Sequence, residues 1–269
     1  VARTVRALQA APTAKEQYES LLEVADALSI SAGAVAAAWL RSVDPAIEGL
    51  TSLRRAYDRG VTQGSWHDVL RAAAQRAVDT PDAVPGLSKV HRSARGRGSL
   101  LGNLQALVEE RNRWAHGSAP RTNPEAAERL AGLLPRLEAA LDQAMFLKES
   151  PWVVTRSSSY RSRERVFDVF VWWAMGDHPE FEKGRITSAA PLEDGRLYML
   201  VCRERCVDLT PFVVQRHCEV CRSIELFHAD RLPRGNATGV VLKSFGSGHA
   251  MTDDSLGDDL LGLGEQESV

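Results

Sequence analysis

The sequence predicts an α+β protein, with an all-α helical bundle over residues 1–149 and a smaller β-rich domain over 150–250. Three observations carry this. The front half repeats apolar residues at three- and four-residue steps and is rich in Ala and Leu. After "ESPW" the texture changes to short β-branched and aromatic runs separated by Gly, Pro and Asp. All four cysteines fall in the second half, between positions 202 and 221. Residues 251–269 are acidic and Gly-rich, and read as a disordered tail or linker.

In order along the chain, "AKEQYESLLEVADAL" and "ISAGAVAAAWLRSV" carry the helical periodicity. "SWHDVLRAAAQRAV" opens with Ser65 as a cap and has Asp68 three residues later. The pattern breaks at "TPDAVPGLSKVHRSARGRGS", where Pro81, Pro85, Gly86, Gly96 and Gly98 cluster. From Ser99 a long helix runs to Gly117, a natural stop. The next helix starts at Asn123 with Pro124 at its first position, and Pro135 is expected to bend or interrupt it. The runs "VFDVFVWWAMG", "RLYMLVC", "CVDLTPFVV" and "TGVVLKSF" read as strands.

Composition excludes several classes. With 44% hydrophobic and 25% charged residues the chain is an ordinary globular protein. No run approaches eighteen uncharged apolar residues, so no membrane span or membrane partner is expected. The first residues lack the apolar core of a secretory signal, and a few unexported cysteines fit a reducing cytoplasm without structural disulfides. Position 1 is Val rather than Met, which leaves room for an excised piece of a longer chain. The net charge of −2 hides an asymmetry. Residues 1–165 hold 23 Lys and Arg against 18 Asp and Glu, and the remainder 10 against 17. The basic front half suits a polyanion, although solvated helix faces produce the same balance.

The stretch "EERNRWAHG", residues 109–117, stands out. Leu100, Leu104, Leu107, Arg111 and Trp114 follow steps of four, three, four and three, which is one continuous seam. The pattern therefore places Arg111 on or beside the buried face. His116, five residues on, lies on a different edge, aligned with Asn112 and Glu109. Asn112 is positioned to hold its imidazole and select a tautomer. The helix end favours the protonated ring. An Arg that snorkels to solvent and a His that caps carbonyls would leave the same pattern. Arg222 and His228 have a similar spacing but sit in the β-rich half without the flanking helix.

"RNRWAHG" resembles the Arg-Asn-x-x-x-His signature of HEPN domains, helical bundles found in many bacterial toxins and phage-defence proteins. The resemblance covers the motif and its flanking helices, within residues 14–148. It implies a metal-independent endoribonuclease that works as a homodimer, with Arg111 and His116 catalytic and Asn112 supporting. It also allows a non-catalytic regulatory or assembly module that binds a nucleotide or a partner protein. The chemistry suits the residue types. His acts as base toward a 2′-OH or acid toward the leaving 5′-oxygen, and Arg stabilises the phosphate. No cofactor is needed for that step. Arg92, Arg95 and Arg97 before the motif helix, and Arg161, Arg163 and Arg165 after it, are candidates for RNA phosphates.

Cys202, Cys206, Cys218 and Cys221 have the spacing C-x3-C…C-x2-C, enough to close a tetrahedral shell around a structural zinc, with His217 and His228 as substitutes. Buried thiols at paired strand ends are the alternative. The β-rich domain matches no family pattern, and sensing, shielding or docking a regulatory partner protein are its expected roles.

Overall fold

The computed structural model describes residues 1–80, 84–92, 98–176, 180–201, 205–233 and 238–264. Its helical half comprises α1 (Ala2–Ala10), α2 (Ala14–Val43), α3 (Glu48–Tyr57), α4 (Gln63–Arg76), α5 (Leu87–Arg92), α6 (Leu100–Ala115), α7 (Asn123–Gln143) and α8 (Phe146–Glu149). The β-rich half follows, with β1 (Trp152–Arg161), β2 (Val166–Trp173), β3 (Glu182–Ser188), β4 (Leu197–Leu200) and β5 (Cys206–Asp208). Then come β6 (Val213–His217), β7 (Ile224–Arg231), β8 (Val240–Ser244), β9 (Ala250–Asp253) and α9 (Gly257–Leu261). The mixed α+β class, helical first and β-rich second, is as the sequence predicts.

The two helical patterns at the front form one helix. α2 runs 30 residues from a capping box in which Thr13 and Glu16 satisfy each other's backbone N–H groups. It is long and apolar enough to cross a membrane, yet 83% of its most apolar window is buried inside the protein, as in the core helix of a soluble fold. Its small residues let neighbours come close. A Cβ built on Gly33 would lie 2.6 Å from Trp66 Cβ, so α4 packs directly on the backbone of α2. The caps differ by a few residues from expectation: Thr62 caps α4 with Ser65 at its third position, and Thr122 caps α7. Pro135 does not interrupt α7. It lies on the solvent face, where the Ala131 carbonyl that it leaves unbonded can reach water.

The strands form two antiparallel sheets, of order β3-β2-β1-β4-β5 and β6-β7-β8-β9. The two halves share their main core. One buried cluster joins Leu28, Trp39 and Leu40 of α2 and Trp66 of α4 to Met199, Val207, Phe212 and Phe227 of the β-rich half. Polar ties cross the same boundary: Arg41 Nη1 donates to the Thr210 carbonyl at 2.7 Å, and the Val61 and Leu232 amides bond Asp230 O and Tyr57 O.

The stretch expected to be a disordered acidic tail is folded as far as residue 264. β9 closes the second sheet, and Leu256, Leu260 and Leu263 enter the main core. Asp259 meets Arg41 at 3.2 Å. Its leucines bury enough apolar surface to hold an acidic segment down, a spacing signal hidden by the surrounding Asp and Gly.

Candidate functional site

The motif lies at the C-terminal end of α6. Ser99 caps the start of this helix by accepting the Gly102 amide at 3.0 Å, and Leu100, Leu104 and Leu107 are buried. The seam then leaves the core. Arg111 has a side chain 42% exposed and Trp114 is 40% exposed, so the row continues past the apolar surface of its own chain. Arg111 is therefore beside the buried face rather than in it. Residues 112–118 are all exposed.

The helix stops through paired backbone bonds. Ser118 N bonds Arg113 O at 3.0 Å and Gly117 N bonds Trp114 O at 3.2 Å, with Gly117 at φ +86°. This reciprocal closure needs a left-handed residue after the cap, and glycine takes that conformation without steric cost. His116 is the capping residue, and its amide bonds the Asn112 carbonyl at 3.0 Å. That backbone contact is what joins the two residues. The side chain of Asn112 does not hold the imidazole.

Arg111 meets α2 instead. Its Nε lies 3.7 Å from Asp26 Oδ2, and Asp26 also accepts a hydrogen bond from Gln63 at the start of α4. Burial pushes the Asp26 carboxyl up, and the Arg111 guanidinium pulls it back.

Next to Arg111 is a group that sequence reasoning missed. Glu110 is buried, with Tyr18 Oη donating to its Oε1 at 2.6 Å. Arg113 Nη2 lies 2.8 Å from Oε2, and Arg129 Nη1 lies 3.2 Å from Oε1. Arg129 goes on to bond Ser118 O at 2.7 Å and Glu125 at 2.8 Å. Burial and then the bond to Glu110 raise the Tyr18 phenol well above its ordinary value. One network thus ties the motif turn to α2 and α7. The signal in the sequence was a Glu on the seam side of the helix, indistinguishable there from a solvated charge.

Of the basic candidates, Arg92 ends α5, but its side chain lies outside the described residues, as do Arg95 and Arg97. Arg161, Arg163 and Arg165 sit at the exposed β1–β2 turn, where Arg161 is engaged by Glu164 at 3.1 Å and Asp168 at 2.9 Å.

The cysteines also separate. Cys202 lies outside the described residues, and Cys206 is on β5 beside the Val153, Val169 and Val171 cluster. Cys218 and Cys221 sit in the β6–β7 turn, and their thiols meet Glu225 and His249, with all four potential ligand atoms within 4.8 Å of one another. Among the described residues, two of the four expected cysteines thus join a Cys/Cys/Glu/His group that could hold a metal. The proposed substitutes do not enter it: His217 is exposed at the end of β6, and His228 is buried against Phe245.

A cavity of about 360 Å³ opens where α1, α2 and α8 meet the sheets, lined by Leu28, Trp152, Phe181, Leu226 and Phe245 with Lys148 among the polar residues. The motif residues do not line it. No protein-family model matches the chain, and comparison with curated proteins and with solved structures returns no match either.

Proposed function

We propose that this protein is a metal-independent endoribonuclease of a HEPN-like kind, acting in a bacterial toxin or phage-defence role in the cytoplasm. The observation that carries this reading is the terminal turn of α6, where Arg111 and Trp114 continue a buried seam outward and Asn112 and His116 stand exposed on the neighbouring edge. A helix that keeps a tryptophan and an arginine on a row leaving the core is suited to meeting something outside its own chain.

Arg111 and His116 are separated by about 140° around the helix, so one copy does not bring both onto one phosphate. A homodimer placing two α6 ends together supplies the missing partner. In that site one His116 takes the proton of the ribose 2′-OH as O2′ bonds to phosphorus. His116 of a second copy delivers a proton to O5′ as the P–O5′ bond breaks, leaving a 2′,3′-cyclic phosphate. Arg111 stabilises the added charge on the phosphoryl oxygens. Asp26 engages Nε, which leaves the terminal amino groups for phosphate.

A specific observation favours the alternative, a non-catalytic assembly module that binds nucleotide or a partner protein. Arg111 already has a carboxylate, and Asn112 does not orient His116 through its side chain. The deciding assay is cleavage of single-stranded RNA in EDTA by wild type, Arg111→Ala and His116→Ala. The ribonuclease reading expects each variant to lose at least about a hundredfold in rate while staying folded. Dimers that cut no RNA, even with cell extract added as a trigger, would establish the module instead.

We also infer a structural zinc in the β-rich half, supported by the Cys/Cys/Glu/His group.

A further inference from the structure

The four ligand atoms at the outer end of the second sheet come from two turns. Cys218 and Cys221 belong to the β6–β7 turn, Glu225 is the second residue of β7 just after it, and His249 ends the β8–β9 turn. These are separate hairpin ends, brought together by the β7–β8 pairing.

The turn is shaped as a thiolate knuckle. The Cys218 amide bonds the Ser223 carbonyl at 2.8 Å, and Arg222 takes a left-handed φ of 56° to close it. The backbone N–H groups of Cys221 and Val220 are turned toward the Cys218 sulfur, and a thiolate is the form that binds metal. Cys221 Sγ has Ser223 Oγ at 3.1 Å. Glu225 accepts from Ser247 Oγ at 2.9 Å, which orients its carboxylate.

The spacing is compatible with a tetrahedral zinc. In a tetrahedral zinc shell, bonds of about 2.3 Å to sulfur and 2.0–2.1 Å to nitrogen put neighbouring ligand atoms roughly 3.5–3.8 Å apart. Cys218 Sγ and His249 Nδ1 are 3.4 Å apart, and no pair in the group exceeds 4.8 Å. Two thiolates and an imidazole are soft and borderline donors, which select zinc over magnesium or calcium.

We propose that Cys218, Cys221, Glu225 and His249 together bind one zinc ion, which clips the β8–β9 turn onto the β6–β7 turn. This rests on the reading that the β-rich half carries structural zinc, and it replaces Cys202 and Cys206 as the ligands. Four protein ligands close the shell, so the ion's work is structural. The clip also has a second consequence, because Ile224, Glu225, Phe245 and Gly246 line the 360 Å³ cavity. Zinc holds that wall in place.

The test uses full-length protein purified without a metal-binding tag. Elemental analysis should find one zinc per chain in wild type and in Cys206→Ser. Cys221→Ser and His249→Ala should each weaken zinc by more than the 10–100-fold typical of losing a supporting group around a metal. Cobalt exchanged into wild type should show tetrahedral bands with the charge-transfer intensity of two thiolates, a readout that survives if the variants misfold. Wild type without zinc, and unable to take up cobalt, would overturn the structural-zinc reading itself. Zinc kept by His249→Ala but lost from Cys206→Ser, or a four-thiolate cobalt spectrum, would overturn this ligand set while leaving a zinc in the domain.

Discussion

Arg111 Nε on α6 lies 3.7 Å from Asp26 Oδ2 on α2, so the one motif arginine beside the core is held by a carboxylate from a different helix. If Arg111 is the phosphate contact, Asp26 competes with the RNA for its charge. Asp26→Asn keeps an acceptor near Nε and removes one negative charge. RNA affinity at low salt should rise several-fold, on the scale of about 1 kcal/mol for a partly exposed pair. Filter binding across a salt series reads this, and unchanged affinity would separate Arg111 from the phosphate.

Trp114 is the outermost residue of the seam and is 40% exposed. Buried aromatic anchors at interfaces contribute about 2 kcal/mol or more, a loss of roughly thirtyfold in dimer affinity. Trp114→Ala should therefore shift a homodimer toward monomer without lowering the melting temperature of the monomer. Light scattering over a concentration series decides it, and identical profiles for variant and wild type would remove this face from any interface.

Glu110 is buried among Tyr18, Arg113 and Arg129. Removing a buried carboxylate strands its partners, so Glu110→Ala should cost roughly 2–4 kcal/mol in chemical denaturation. Glu110→Gln keeps an acceptor for Tyr18 and should cost less. Equal losses for the two would mean that the charge facing Arg113 and Arg129, not the shape or an acceptor for Tyr18, carries this position.

His67 is buried with Nε2 3.1 Å from Ser29 Oγ, and burial depresses its pKa to about 4. The unfolded chain titrates near 6.5, so below that pH it binds the proton that the folded protein resists. This contribution to stability is complete above about pH 6.5 and is lost as pH falls toward 4, amounting to roughly 3 kcal/mol. His67→Gln should flatten the acid limb of a stability–pH curve in that window. A variant curve parallel to wild type would show that other groups carry the acid sensitivity.

Gly33 faces Trp66 with no room for a Cβ. Gly33→Ala improves helix propensity by up to about 1 kcal/mol, yet overpacking typically costs about 1–3 kcal/mol. The clash is with backbone-proximal atoms that cannot swing aside, so the net effect should be a lower melting temperature. A raised one would mean that α4 slides freely on α2.

Local chemistry was enough for much of this protein. Helical periodicity marked α2, α4, α6 and α7, Ser99 and Gly117 bounded the motif helix, and β-branched runs marked β2, β4 and β8. These signals are short-range, because capping, turn closure and amphipathic spacing act within one or two turns of chain. The seam through Leu100, Leu104 and Leu107 was legible for the same reason.

What only the tertiary structure decided are relationships between distant positions. Cys206 and Cys218 look like neighbours in sequence, but Cys206 stands in the first sheet and Cys218 follows β6 of the second, where His249 from a distant turn comes beside it. Asp26 and Tyr18 reach the motif from more than eighty positions away. Leu256, Leu260 and Leu263 turn an acidic tail into part of the core. Periodicity says which face of a segment is apolar. Which surface covers that face, and which charge meets a partly buried arginine, is settled only when long-range packing brings separate elements together.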